Sequence, residues 1–287
     1  MIALRPDFRE SCRRRRDMRT PDRLIAHYEL ERRLTDRLRN APHDERSSVY
    51  SEVYAELFRA LPDHPQTLAK QGARARATAR EWTLLARHLT EDSRVLEIGC
   101  GDAAFAFTIA PHVRQVYGLD VTDALVGTPA PANFTFIKTG GVDIPLPDAS
   151  IDVAYSNQLV EHLHPDDVVA QFAEIRRVLV PGGLYRCSTP SRVSGPHDVS
   201  CYFDYTATGL HLREYDYASL HALFLKAGFR AVDFYITGGA RQFRTPYWAV
   251  RAAEACVLSV ASQTLRARIA NLPFIRQAMG LTAVGHA

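Results

Sequence analysis

The segment Val95-Leu96-Glu97-Ile98-Gly99-Cys100-Gly101-Asp102-Ala103-Ala104 reads as a buried apolar run, a glycine turn and the start of a helix. Gly99 and Gly101 let the backbone turn tightly and approach a ligand closely. The unpaired N–H groups at the start of the following helix favour a carboxylate or phosphate. Asp120 closes the next apolar run, Tyr117-Gly118-Leu119-Asp120, twenty-one positions after Gly99. An acid at that point can accept both hydroxyls of an adenosine ribose. Further along, the polar stretch from Thr189 to Tyr215 holds His197 and His211 among tyrosines and acids. Histidine titrates near neutrality, so either ring has the chemistry to take a proton from a hydroxyl.

Two cofactors compete for the glycine turn. Gly99, Gly101 and Ala104 satisfy the G-x-G-x-x-G/A spacing of a dinucleotide site, with an acid about 20 residues on, which suits an NAD-dependent oxidoreductase. Glu97 decides against it. A carboxylate aimed into this loop repels a pyrophosphate but suits the cationic amino group and sulfonium of S-adenosylmethionine.

These residues need elements that hold them. From Ser93 onward, short apolar runs at Arg94–Ile98, Gln115–Leu119, Phe134–Lys138, Ile151–Tyr155, Leu184–Ser188 and Ala231–Ile236 alternate with helical patterns near Ala103–Ala110, Asp166–Leu179 and Tyr217–Ala227. Strands alternating with helices predict βαβ units and a mostly parallel sheet covered on both faces. Before Ser93 the chain reads as helix. One segment runs from Asp22, as a cap, to Leu38. A second carries Val49, Tyr50, Val53, Tyr54, Leu57, Phe58 and Leu61 on one face and is stopped by Pro62 and Pro65. A third covers Gln66 to Leu89. No strand is expected directly after Ile236. A helix-rich stretch from Pro246 to about Met279 follows, and Leu281–Val284 has the composition to return to the sheet as its antiparallel member. The predicted fold is α/β and Rossmann-like. A helical extension spans residues 1–90, a cofactor-binding domain spans 91–287, and a helical insertion occupies about 240–279.

With these pieces in place, Val95–Ala104 resembles the first motif of class I S-adenosylmethionine-dependent methyltransferases. Four further segments match that family in order and spacing. They are Tyr117–Asp120, Asp143–Asp152, Ser156–Leu163 with its Glu161-His162 pair, and Val178-Leu179-Val180-Pro181-Gly182-Gly183. The resemblance covers residues 93–237, about half the chain. It implies that Glu97, Gly99, Gly101, Asp120, Val121, Asp143, Ile144 and Asn157 bind S-adenosylmethionine and its product S-adenosylhomocysteine. In that reading Asp143 meets the adenine amino group and Ile144 offers a backbone N–H to the ring. Ala103 departs from the family, which usually has a third glycine there.

Acceptor classes can be narrowed the same way. Ser156-Asn157-Gln158-Leu159 lacks the paired prolines of adenine-N6 and glutamine methyltransferases, and neither Cys100 nor Cys187 sits where a nucleophile for a pyrimidine ring would. What remains resembles the small-molecule branch, with the acceptor walled by the N-terminal extension and the insert from Thr189. His162, Tyr202 and Arg213 are the expected substrate-binding residues, and His197 or His211 the expected base, with Asp198 or a neighbouring acid orienting His197. His162, His164 and Asp167 have the residue types of a metal site, but no metal is assigned.

Composition sets the outer bounds. Of 287 residues, 46% are hydrophobic and 23% charged, which excludes global disorder. No stretch approaches a membrane span, the N-terminus lacks a secretory signal, and five scattered cysteines form no C-x-x-C. A cytoplasmic protein with a small-molecule substrate is expected. The net charge of +3 is too small to imply a nucleic-acid partner. The Arg13–Arg16 run reads as a solvated tail, and Met18 as an alternative start that would make residues 1–17 dispensable. The non-enzyme alternative is an S-adenosylmethionine-binding or RNA-associated protein that uses this basic end.

Overall fold

A computed structural model of the protein describes residues 2–62, 78–79, 81–123, 125–238 and 241–287. The apolar runs after Ser93 form strands β1 (Arg94–Ile98), β2 (Gln115–Asp120), β3 (Phe134–Lys138), β4 (Ile151–Asn157) and β5 (Leu179–Thr189), which pair in parallel. Successive side chains of a strand point to opposite faces, and the burial follows that rule. Val95, Val116, Val153 and Tyr155 pack on one face against Phe105, Ala106 and Ile109 of helix α4 (Ala104–Ile109). Leu96, Ile98, Leu119, Ala154 and Tyr185 pack on the other face against α5 (Val168–Val178) and α6 (Tyr217–Lys226). A strand covered on both faces is mostly apolar, and in β1 Val95, Leu96 and Ile98 are, with Glu97 the buried exception.

Strands β6 (Ala231–Gly238), β7 (Arg241–Thr245) and β8 (Leu281–His286) complete an eight-stranded sheet in the order β3-β2-β1-β4-β5-β8-β6-β7. Residues 281–286 return to the sheet as expected, antiparallel to both β5 and β6. The helices between, α7 (Tyr247–Leu258), α8 (Gln263–Ala270) and α9 (Pro273–Met279), are therefore inserted ahead of the last strand. One expectation is corrected. A strand does follow Ile236, since β6 runs on to Gly238 and β7 turns back on it, pairing Phe234 with Thr245 and Gly238 with Arg241. Arg241-Gln242-Phe243-Arg244-Thr245 is an exposed edge strand whose backbone pairing makes it, so it carries no apolar periodicity to read.

The N-terminal helices are α1 (Phe8–Arg15), α2 (Pro21–Arg39) and α3 (Arg46–Ala60). Thr20, not Asp22, caps α2. Its side chain accepts the Arg23 N–H, and Pro21 fills the first turn. Of the third expected helix, residues 66–77 and 80 lie outside the described residues; the described end is helical and closes in a 3₁₀ turn at Ala86–His88. The arginine run is not a solvated tail but the exposed end of α1. Arg15 donates to the carbonyls of Pro196 (2.9 Å) and His197 (3.2 Å), and buried Arg5 donates to the carbonyl of Asp204 (3.0 Å). Arg5 and Arg15 thereby tie this N-terminal segment to the insert after β5.

Leu30, Leu34 and Leu38 of α2 and Val49, Val53 and Leu57 of α3 form a second core with Leu210 and Leu212 of that insert. The helices are thus anchored over the C-terminal ends of the strands, at the β1–β4 pair where the strand order reverses and such sheets bind ligands. No helix among the described residues is long and apolar enough to cross a membrane.

The seating of β8 has a measurable consequence. A Cβ added at Gly285 would lie 2.5 Å from the Phe224 ring and 2.7 Å from Phe229. Gly285→Ala should lower stability by about 1–3 kcal/mol, the usual cost of overpacking a tight core. Unchanged denaturant unfolding would show that the last strand is not packed against α6.

Candidate active site

The glycine turn leaves β1 with Gly99 at φ +70° and Gly101 at φ +53°, the left-handed region that favours glycine. Ala103 follows at φ 56° with its methyl fully buried, so the missing third glycine is replaced by a residue forced into the same conformation. That strain costs about 1–2 kcal/mol. Asp120 at the end of β2 locks the turn. Its Oδ2 accepts the Gly101 N–H (2.8 Å), and its Oδ1 accepts the N–H groups of Val121 (2.7 Å) and Thr122 (3.4 Å). Glu97 is buried beneath, with Oε2 accepting the Ala106 N–H at the start of α4 (3.0 Å). Burial pushes its carboxyl up to about 8, with the neighbouring charges of Asp102 and Asp120 adding to the effect.

The space over this turn is open. A Cβ at Gly101 would meet nothing within 4 Å, and the same holds at Gly141 in the loop after β3. Asp143 is exposed in that loop. The Ile144 N–H, implied to meet an adenine ring, here donates to Glu174 (3.3 Å) while its side chain is buried. Helix α3 leans over both loops: Ser51 donates to the Val121 carbonyl (3.0 Å), and Ser47 packs on Gly140. The open cradle, the acid at the end of β2 and the acid beneath the turn fit S-adenosylmethionine. Gly99, Gly101, Asp120, Val121 and Asp143 would hold it.

Next to the turn lies a second group of polar side chains. Leu159, after β4, packs so closely on Gly99 that a Cβ there would sit 2.9 Å from its Cδ1. Two residues on, Glu161 is fully buried. Its Oε2 accepts the Thr189 hydroxyl (2.8 Å), and its Oε1 has no hydrogen-bond partner among the described residues. His162 and His211 each bring a ring nitrogen to it, the three ligand-type atoms lying within 4.8 Å of one another. The two rings meet at 83° with centroids 4.8 Å apart. His162 Nδ1 lies 3.0 Å from the Leu210 carbonyl, and Tyr54 of α3 stands edge-on to the ring at 6.2 Å. His211 Nδ1 is held by Glu214 Oε1 (2.8 Å). Burial alone would lower His211, but Glu214, Asp198 and Glu161 outweigh it and hold the ring up at about 9. Burial raises Glu161 to about 7.

The sequence-named residues therefore divide. His162 and His211 come together beside the glycine turn. His197 does not join them. Its Nε2 lies 3.1 Å from the Ser194 hydroxyl and 3.2 Å from the Ser191 carbonyl, and burial lowers it to about 4. Asp198 does not orient that ring. It accepts the N–H groups of Gly209 (2.9 Å), Ser200 (3.1 Å) and His211 (3.3 Å) instead. Tyr202 is buried and donates to Asp17 (2.7 Å), and exposed Arg213 lies over the Tyr215 ring. Asn157 is exposed at the end of β4, where Gln158 turns the chain at φ 56°. Two carboxylates of the cluster, Glu161 and Glu214, were given no site role in the sequence, although Glu161 stands in the Glu161-His162 pair. Each adjoins or lies three positions from a named histidine, and that spacing is the signal that could have found them.

The fold and this edge define a doubly wound α/β domain with a cofactor cradle at its switch point. A family described as a methyltransferase domain matches residues 96–187. A probable S-adenosylmethionine-dependent methyltransferase of Mycolicibacterium smegmatis is 40% identical over 142 residues, 48% of this chain and 52% of that protein. One of Mycobacterium tuberculosis is 34% identical over 137 residues, 47% of this chain and 48% of that protein. The chain thus spans about half the length of these curated relatives. Among solved structures, the Burkholderia thailandensis 1,6-didemethyltoxoflavin-N1-methyltransferase, with that compound and S-adenosylhomocysteine bound, shares the fold at a TM-score of 0.52 and 17% identity. It covers 86% of this chain and 90% of that one. A complex of the Haloferax volcanii Trm112 methyltransferase activator with a methyltransferase aligns at 0.53 and 19%, covering 76% and 94%. Residues 96–187 thus match a methyltransferase domain, and the relatives that share this part of the chain are named as probable S-adenosylmethionine-dependent methyltransferases.

Two outcomes follow for the cradle. Asp120→Ala should weaken S-adenosylhomocysteine binding by about 1–3 kcal/mol, the scale for removing a buried charged acceptor; unchanged affinity in a folded variant would remove Asp120 from the site. Glu97 carries its proton near pH 7 because burial favours the neutral acid, and a cationic amino group beside it favours the carboxylate. Binding of S-adenosylhomocysteine near pH 7 should then release protons. Calorimetry in two buffers of unlike ionisation enthalpy reads this, and proton uptake or no buffer dependence would contradict it.

Proposed function

We propose that this chain transfers a methyl group from S-adenosylmethionine to an oxygen of a small-molecule acceptor, such as a saccharide, a quinol or another biosynthetic hydroxyl compound. The observation that carries this reading is the Glu161–His162–His211 cluster, which begins two residues beyond Leu159, whose side chain packs on the Gly99 turn. Bound S-adenosylmethionine supplies a methyl on a good leaving group. The chain's task is to place the acceptor in line with it, exclude water and take the hydroxyl proton.

Excluding water falls to the N-terminal helices, with residues 1–90 acting as a cap. Tyr50 of α3 ties this cap to the loop after β4, accepting the His164 N–H (2.6 Å) and donating to the His162 carbonyl (3.3 Å). Placing the hydroxyl falls to His211, which its acidic neighbours keep protonated near neutral pH, and accepting its proton falls to Glu161, which burial raises to about 7. Of the two histidines singled out in the sequence, His211 has the geometry: a carboxylate on one ring nitrogen and the Glu161 carboxylate beside it. The glycine cradle and Asp120 hold the cofactor side.

His211→Gln should lower kcat by about 100-fold or more, within the usual range for loss of acid–base help, with S-adenosylhomocysteine affinity unchanged. The assay is transfer of a labelled methyl to a panel of saccharides, quinols and phenolic compounds, followed by the variant on whichever acceptor is taken. Full activity in His211→Gln would remove this histidine from the reaction. Labelled RNA instead of a small molecule would favour the RNA-associated reading.

A further inference from the structure

We infer that Glu161, His162 and His211 form a binding site for one divalent transition-metal ion, in the class of zinc, cobalt and iron(II). The sequence does not show it, because His211 lies 49 positions after His162 and only the fold joins them. Each residue offers one ligand atom, and all three lie within 4.8 Å of one another. Around a single tetrahedral ion with bonds near 2.0–2.1 Å, neighbouring ligand atoms stand roughly 3.3 Å apart. Small side-chain rotations would close the difference.

The partners of the three residues are those of a metal site. A metal-bound histidine characteristically gives its other ring N–H to a carboxylate or a backbone carbonyl, which fixes its tautomer and aim. His211 Nδ1 is held by Glu214 (2.8 Å), and His162 Nδ1 faces the Leu210 carbonyl (3.0 Å). Each contact fixes its ring's orientation, as the outer partners of metal-bound histidines do. Glu161 has one oxygen fixed by the Thr189 hydroxyl, while Oε1, fully buried, has no partner among the described residues. A buried, unpaired carboxylate oxygen is costly unless something positive meets it. Asp198 and Glu214, packed about His211, add negative charge that a dication would offset.

Two imidazoles and one carboxylate select a borderline transition metal over magnesium or calcium, which take oxygen donors. Three protein ligands also leave a coordination position open, and a hydroxyl bound there would lose its proton more readily. That role rests on the acceptor reading above, with the ion rather than Glu161 and His211 then acting on the hydroxyl proton; the metal site itself does not.

The test uses the full chain, free of any affinity tag and stripped with chelator. Zinc ions are titrated in competition with a chromophoric chelator, and cobalt(II) is titrated with its visible absorption followed. One ion per chain is expected, with cobalt bands typical of nitrogen and oxygen ligation. Glu161→Gln and His211→Gln should each weaken zinc binding by more than about 100-fold, and Glu214→Gln by about 10–100-fold, as for an outer partner of a metal ligand. His88→Gln, at an exposed histidine, should bind as the wild type does. S-adenosylhomocysteine affinity reports that each variant is folded. Absence of stoichiometric zinc or cobalt binding to the wild type would overturn the site, as would binding retained in folded Glu161→Gln and His211→Gln. Stoichiometric binding without methyl transfer to any acceptor would uphold the metal site and count against the transfer reading. Full transfer by metal-free protein that binds no ion would do the reverse.

Discussion

The bond from the Gly101 N–H to the Asp120 carboxylate holds two strand ends together at the point where everything else meets. Asp120 takes three backbone N–H groups, one from the glycine turn after β1 and two from its own loop after β2. Buried acids lose solvation, and fixed N–H donors replace it. The turn is therefore set before any ligand arrives, with its concave side open. Glu97 does the same from below by fixing the start of α4. Without these two acids the glycines would be flexible rather than shaped.

From that turn the site grows by direct packing. Leu159 sits on Gly99, and the 3₁₀ turn beyond it carries Glu161 and His162. Thr189 at the end of β5 fixes Glu161, and the insert after β5 returns His211 and Glu214 to the same place. Helices α2 and α3 close over the group through the apolar core they share with Leu210 and Leu212. The result is a cofactor cradle and a largely buried polar cluster at the C-terminal ends of β1, β2, β4 and β5, with Leu159 packed on the turn just ahead of Glu161.

Much of this frame was legible in the chain. Strands β1 to β6 could be read because short, mostly apolar runs alternate with helical patterns, and β8 because Leu281–Val284 is mostly apolar where a last strand was needed. β7 was not legible: an edge strand held by backbone bonds leaves no periodicity. The cradle acids could be named because Glu97 and Asp120 lie at strand ends at recognisable spacing from the glycines. The polar cluster could not, because its members come from three segments brought together only by the fold. Gly195-Pro196 suggested a turn aiming His197 inward. The Glu214 carboxylate packed against Gly195 instead takes the His197 N–H (2.6 Å), and that ring settles on Ser191 and Ser194.

The central claim is that the cradle and the cluster are two halves of one pocket. Its most direct test is a crystal structure of the full chain with S-adenosylhomocysteine bound. The account predicts the ribose on Asp120 and the homocysteine sulfur turned past Leu159 toward Glu161 and His211, with room between for one methyl group and one acceptor atom. A sulfur turned away from that cluster, or a ligand bound anywhere other than over the Gly99–Gly101 turn, would contradict it.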